Sequence, residues 1–134
     1  MKLKARAVII SDDKLLLIRR EKNDSVYYVF PGGSVESGEN FEQACVRELV
    51  EELGVHITIN NIFYEVLNHE EQVHEQFFIA DITSGEIGTG LDKKFVPGEA
   101  ASAGYSIVQV PLSEIASLDI LPRSARDAIL SRKK

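Results

Sequence analysis

The sequence predicts an α/β fold, a sandwich of helices around a central mixed β-sheet. Three observations lead there. Short aliphatic and β-branched runs of strand length recur from Ala5 to Val110. One helical pattern interrupts them after the third run, and two more close the chain. Strands and helices do not alternate regularly, as a doubly wound parallel sheet requires. With 134 residues, 44% of them hydrophobic and 27% charged, the chain fits one domain over residues 1–134, and disorder is not expected. There is no internal repeat, low-complexity segment or linker between two cores.

The elements follow in order. "ARAVII" and "KLLLIRR" are strands separated by "SDDK", a polar cluster suited to a hairpin turn. "VYYVF" is a third strand, stopped by Pro31-Gly32-Gly33. A helix follows, with Asn40 as cap, Gln43 completing a capping box, and Gly54 just past its end. "VHITINNIFYEVLN" and "HEQFFIADITSGEI" are two long strands around the polar break "HEEQ". Gly88 to Gly104 reads as a long loop, a length often functional in a compact domain. "YSIVQV" is a further strand, "LSEIASL" a short helix and "SARDAILSRKK" a final helix with Ser124 as N-cap.

Composition excludes several functions. Net charge is −6 and the pI about 5.1, so attraction to duplex DNA or to an anionic membrane is not expected. A small anionic ligand stays open where a bound cation reverses the local field. Cys45 is the only cysteine, which rules out an intrachain disulfide and suits a reducing compartment. The apolar run Ala7–Ile10 near the start is too short for a signal-peptide core or a membrane span. A soluble cytoplasmic domain is the expectation.

The segment from Pro31 to Val55 carries six carboxylates and one permanent cation, Arg47. At about 100° per residue, Cys45, Val46, Leu49, Val50 and Leu53 form an apolar arc facing the core. Glu48, Glu51 and Glu52 fall at i, i+3 and i+4 and share the adjoining arc. Like charges at this spacing each destabilise a helix by roughly 0.2–0.5 kcal/mol. A hard divalent cation relieves that repulsion directly, and oxygen ligands are what Mg²⁺ prefers. A solvated acidic face is the plainer explanation for a glutamate-rich helix, but the spacing after the glycine loop argues against it.

That spacing resembles the Nudix box of the Nudix hydrolase superfamily. Gly33 is followed by five residues and Glu39, then by seven residues and Arg47-Glu48. Leu49 fills the aliphatic place, Glu51-Glu52 follow Val50, and Gly54-Val55 close the pattern after Leu53. The resemblance implies a Nudix-type α/β/α sandwich with the box as loop–helix–loop. It also implies a metal-dependent hydrolase that cleaves the diphosphate linkage of a nucleoside diphosphate derivative.

Residue by residue, it implies Glu48, Glu51 and Glu52 as ligands of Mg²⁺, with Mn²⁺ as an alternative, and the Gly33 carbonyl as a further metal contact. Arg47 orients box carboxylates, Glu39 and Glu51 among them, and Glu39 shapes the loop or supports a ligand from behind. Glu48 and Glu52 are the box candidates for the general base. Glu99 in the long loop and Glu75 are the candidates outside it. Gly32 and Gly33 let the backbone approach a phosphate or metal. Arg19, Arg20 and Lys22 end a strand near the place where family members hold phosphates. Arg19 and Arg20 point to opposite faces, so at most one serves there, and Arg19 is the one assigned. Among Tyr27, Tyr28 and Phe30, one ring is available to stack on a base, with Tyr28 assigned. His69 and His74 read as surface residues, and Cys45 as an inert core residue.

The expected partner is a small-molecule nucleotide, and a homodimer is common in that family. Oxidised or ordinary nucleoside triphosphates, nucleotide sugars and capped RNA ends all remain open. The subgroup marks for ADP-ribose and dinucleoside polyphosphates are missing, since Glu70 and Val73 stand near those places. A nucleotide-sensing module without catalysis is the alternative, and the intact glutamates argue against it. An isoprenoid diphosphate isomerase is a remote third reading for so short a chain.

Overall fold

A computed structural model describes residues 1–91 and 104–132. Its strands are β1 (Lys2–Val8), β2 (Ile10–Ser11), β3 (Lys14–Lys22), β4 (Ser25–Val29), β5 (Gly32–Ser34), β6 (Val55–Asn68), β7 (Val73–Gly85), β8 (Tyr105–Pro111) and β9 (Ile120–Leu121). Two α-helices join them, α1 (Phe41–Leu53) and α2 (Arg123–Arg132), and "LSEIAS" forms a 3₁₀ helix over Leu112–Ser117. The fold is α/β with mixed sheets, as expected. The sheet is divided in two, however. One sheet runs β5-β1-β7-β6, with β1 and β7 parallel and the other pairs antiparallel. The other runs β2-β3-β4-β9, with β8 on the far edge of β3. The chain crosses between them at Ile9, whose carbonyl accepts from the Leu16 N–H at 3.0 Å.

Residues Leu15 to Ile18 are all buried, so β3 reads as an unbroken aliphatic run because both its faces are covered. Its two rows feed two cores. Leu16 and Ile18 join Ala5, Ala7, Ala80 and Phe78 beneath the Cys45, Leu49 and Leu53 face of α1. Three of those strand residues are alanines, which lets the helix lie close to the sheet. Leu15 and Leu17 join Val8, Phe30, Phe77, Ile115, Ile120 and the Ala125–Ile129 face of α2. There Phe30 and Phe77 meet edge to face, 5.2 Å apart and inclined at 79°.

The start of α1 forms as its residues dictate. The Asn40 side chain accepts from the Gln43 N–H at 2.7 Å, and the Gln43 side chain accepts from the Asn40 N–H at 2.9 Å. Gly54 ends the helix at φ 78°, a left-handed conformation that glycine adopts without a Cβ clash. The expected cap of α2 is corrected. Ser124 lies inside the first turn, and the Pro122 carbonyl accepts from Ala125 and Arg126 instead. Most of the predicted 88–104 loop, with Glu99, lies outside the described residues. No helix among the described residues is long and apolar enough to cross a membrane.

Candidate active site

The stretch between β4 and α1, which includes β5, brings backbone and carboxylates together. At Gly32, φ is 139°, and a Cβ there would strike the Ala5 carbonyl and lie 2.8 Å from the Arg6 Cα. The bare backbone can therefore pack flat on β1. Its N–H then points at α1 and donates to Glu52 Oε1 at 2.8 Å. A Cβ on Gly33 would lie 2.7 Å from the Glu48 carboxyl carbon, so the Glu48 carboxylate rests directly against the Gly33 backbone.

Arg47 holds the remaining acids. Its Nε and Nη2 donate to the two Glu39 oxygens at 2.7 and 3.0 Å, a bidentate fork. Its Nη1 donates to Glu48 at 3.0 Å and to Glu51 at 3.1 Å, and Nη2 reaches the Ser34 carbonyl at 3.0 Å. The orienting role inferred for Glu39 and Glu51 thus extends to Glu48. The Arg47 hydrogen bond, then the Glu36 backbone N–H, holds the Glu39 carboxyl below the usual range. Burial pushes Glu48 the other way, outweighing its guanidinium contact. A carboxylate whose charge is poorly solvated, lying against bare backbone, is a group suited to receive a cation. Burial likewise pushes the Cys45 thiol up to about 12, which makes it inert at neutral pH.

Among the described residues, no three His, Cys, Asp or Glu side chains are already gathered as a metal cage. Glu48 and Glu51 converge on one nitrogen of Arg47, while Glu52 is turned to Gly32. The donors are nonetheless all oxygens on one helical turn, and the absent Cβ of Gly33 lets the Glu48 carboxylate lie against the backbone. Their chemistry fits a hard divalent ion.

A cavity of about 260 Å³ adjoins this turn, lined by Glu52, Gly32, Gly33, Lys4, Arg6 and Arg20 with the rings of Tyr27 and Tyr105. Strand register places these groups. Arg20 is the cross-strand partner of both Tyr27 and Tyr105, so all three side chains share a face. The Arg20 guanidinium lies 3.9 Å from the Tyr105 ring centre and 5.7 Å from that of Tyr27. Among the described residues, its buried Nε has no hydrogen-bond partner.

Arg19 and Tyr28, the residues assigned from sequence, are partners on the opposite face. There Arg19 pairs with Glu21 at 3.1 Å, and Tyr28 packs on the second core. Alternation predicted the split but not its sense, because the apolar run Leu15–Ile18 marks neither face as outer. Sequence reasoning also missed Arg6, Lys4 and Tyr105. Arg6 donates to Glu75 at 2.8 Å and to the Phe30 carbonyl at 3.2 Å, a contact between strands far apart in the chain. His74 is part-buried, bonded to Glu65 and edge-on to Phe41, and His69 is exposed.

Known proteins resemble this chain in sequence and in fold. An ADP-ribose pyrophosphatase of Methanocaldococcus jannaschii is 36% identical over 92 residues, which are 65% of this chain and 54% of that protein. The chain thus spans about half the length of that relative. An 8-oxo-dGTP diphosphatase of Buchnera aphidicola is 29% identical over 90% of this chain and 89% of its own length. A NUDIX hydrolase structure from Nitrosomonas europaea superposes with a TM-score of 0.72 at 21% identity, covering 98% of this chain and 88% of that one. The NUDIX domain family matches residues 1–114. That match takes in every strand of the first sheet and the whole glutamate helix, and the chain belongs to the NUDIX domain family.

Proposed function

We propose that the chain is a hydrolase that cleaves the diphosphate linkage of a nucleoside diphosphate derivative, with Mg²⁺ or Mn²⁺ held by Glu48, Glu51 and Glu52. The single observation that carries this is the Glu48 carboxylate lying against bare Gly33 backbone, on the same helical turn as Glu51 and Glu52, beside a cation-lined cleft. When bound, the divalent ion supplies charge neutralisation for the diphosphate oxygens. The Gly33 carbonyl would be a further contact for it.

The chain's own residues do the rest. Arg20 and Lys4 draw the anionic substrate into the cleft, and Arg6 faces it from a position fixed by Glu75 and the Phe30 carbonyl. These replace Arg19 in that role, and Tyr27 and Tyr105 replace Tyr28 as the rings available to the nucleoside. Gly32 and Gly33 admit the phosphates close to the backbone. A water oxygen bonds to phosphorus, the bridging P–O bond breaks, and the departing phosphate keeps the electron pair. The water proton passes to a carboxylate. Glu52 lines the cleft while Glu48 faces Gly33, which supports Glu52 over Glu48 as the box residue that takes it. Glu75 is engaged by Arg6 and is withdrawn from this role. Arg47 holds Glu48 and Glu51 in place and does not touch substrate.

The relatives named above suggest ADP-ribose and 8-oxo-dGTP as first substrates to try, with ordinary nucleoside triphosphates and nucleotide sugars beside them. The test is release of nucleoside monophosphate from this panel at fixed Mg²⁺. Turnover of at least one compound is expected. Tight binding of a nucleotide with no turnover of any would overturn the hydrolase in favour of a nucleotide-sensing module.

A further inference from the structure

The last turn of α1 carries Glu51 and Glu52, and a second piece of backbone is packed against it. The segment 85–90, which follows β7, crosses the end of the helix main chain on main chain. The Gly88 N–H donates to the Leu53 carbonyl at 3.0 Å, satisfying one of the carbonyls that a helix end leaves open. The Thr89 hydroxyl donates to the Glu86 carbonyl at 2.7 Å, which folds the segment into a tight turn. A Cβ on Gly54 would lie 2.6 Å from the Thr89 carbonyl carbon and 2.7 Å from the Gly90 nitrogen.

Within this segment, Gly90 meets the peptide groups of Glu51 and Glu52 themselves. A Cβ there would lie 2.5 Å from the Glu51 carbonyl oxygen and 2.6 Å from both the carbonyl carbon and oxygen of Glu52. No left-handed φ requires glycine at this position, so space alone demands it. The atoms it would strike are peptide groups of the very residues assigned to the metal. They are not side-chain ends able to swing aside, and a packed interior transmits such a push.

We propose that Gly90 is a positioning residue for the metal site, acting through the backbone of Glu51 and Glu52. It allows segment 85–90 to lock the last turn of α1 at the height where the two carboxylates meet the Glu48–Gly33 contact. This rests on the metal-binding reading above. Neither the glutamate pattern nor the substrate cleft accounts for Gly90, which lies 35 residues beyond the box's last position, Val55.

The experiment compares Gly90→Ala with two neighbours. Leu91→Ala alters an 81% exposed side chain beside it, and Ser84→Ala alters an exposed side chain just before the segment without touching the turn. Calorimetry on each full chain reads Mg²⁺ affinity alone, and kinetics read kcat and KM on whichever nucleotide the wild type turns over. Gly90→Ala is expected to weaken Mg²⁺ binding by roughly 10–100-fold, the range for losing a group that supports metal ligands from behind. It should lower kcat while KM stays within twofold, and the two neighbours should behave as wild type.

A second readout needs no variant. In an amide NMR titration of the wild type with Mg²⁺, the Gly88 and Gly90 resonances should move together with those of Glu51 and Glu52 and saturate at the same concentration, because linkage is reciprocal. Wild-type Mg²⁺ affinity in Gly90→Ala, or stationary Gly88 and Gly90 resonances while Glu51 and Glu52 shift, would overturn the proposal and leave the hydrolase reading standing. A wild type that takes up no Mg²⁺ would overturn both.

Discussion

Replacing Arg47 by alanine removes the one guanidinium that holds Glu39, Glu48 and Glu51 together. The contacts differ in weight. Glu36 and Glu51 have side chains 62% and 45% exposed, and ion pairs that wet contribute little. Glu48 is 17% exposed and accepts from Arg47 at 3.0 Å. A hydrogen bond to a charged group is worth about 1.5–3 kcal/mol, so Arg47→Ala should lose at least about 2 kcal/mol in EDTA from the Glu48 contact, with the Glu39 fork adding to it. For a chain of 134 residues that is a drop in Tm of roughly 8 °C. Urea unfolding followed by circular dichroism reads the difference, with EDTA and with saturating Mg²⁺. The deficit should be largest without metal, since a bound cation takes over the neutralising role.

Acid should narrow it as well. Arg47 holds Glu39 below its ordinary pKa, so that contribution is present above the ordinary value and is lost as pH falls through the lowered one. The variant lacks it at every pH, and the two unfolding curves should converge on that acid limb. An Arg47→Ala protein within about 0.5 kcal/mol of wild type in EDTA, the scatter of an ordinary surface substitution, would refute the reasoning.

Three further substitutions probe the site. Glu52→Gln keeps an oxygen for the Gly32 N–H, so the fold should persist at wild-type Tm or slightly above while kcat falls by roughly 10²-fold or more; normal kcat would remove Glu52 from the chemistry. Arg20→Ala should raise the nucleotide KM by about tenfold or more, as loss of a charged hydrogen bond implies, and Arg19→Ala should leave it within twofold. The reverse order would place the substrate on the wrong face of β3. Gly33→Ala sets a methyl group 2.7 Å from the Glu48 carboxyl carbon and should weaken Mg²⁺ binding in calorimetry, whereas Gly38→Ala, with open space around it, should not.

What the sequence revealed and what it hid divide along physical lines. The cap and stop of α1 and the bounds of β6 were legible because they depend on neighbours in the chain: Asn40 with Gln43, the left-handed Gly54, and the polar turn 69–72. The glutamate cluster was legible for the same reason, as helical spacing alone brings Glu48, Glu51 and Glu52 to one side. The division into two sheets was not, because it depends on β1 pairing in parallel with β7, some seventy residues away. Arg6 was hidden by the same distance, its partner Glu75 being on β7. Arg20 and Tyr27 were hidden by an ambiguity of face. Their row continues Leu16 and Ile18 toward α1, and four successive apolar residues on β3 conceal which row that is. Ser124 misled because its residue type suits a cap, whereas the turn begins from the Pro122 carbonyl.

The central claim is that this turn of α1 holds a divalent ion, and titration calorimetry of the purified chain with Mg²⁺ tests it most directly. Saturable uptake by the wild type, sharply weakened in Glu51→Gln, is the predicted result. No heat of binding for Mg²⁺ or Mn²⁺, with or without nucleotide present, would contradict it.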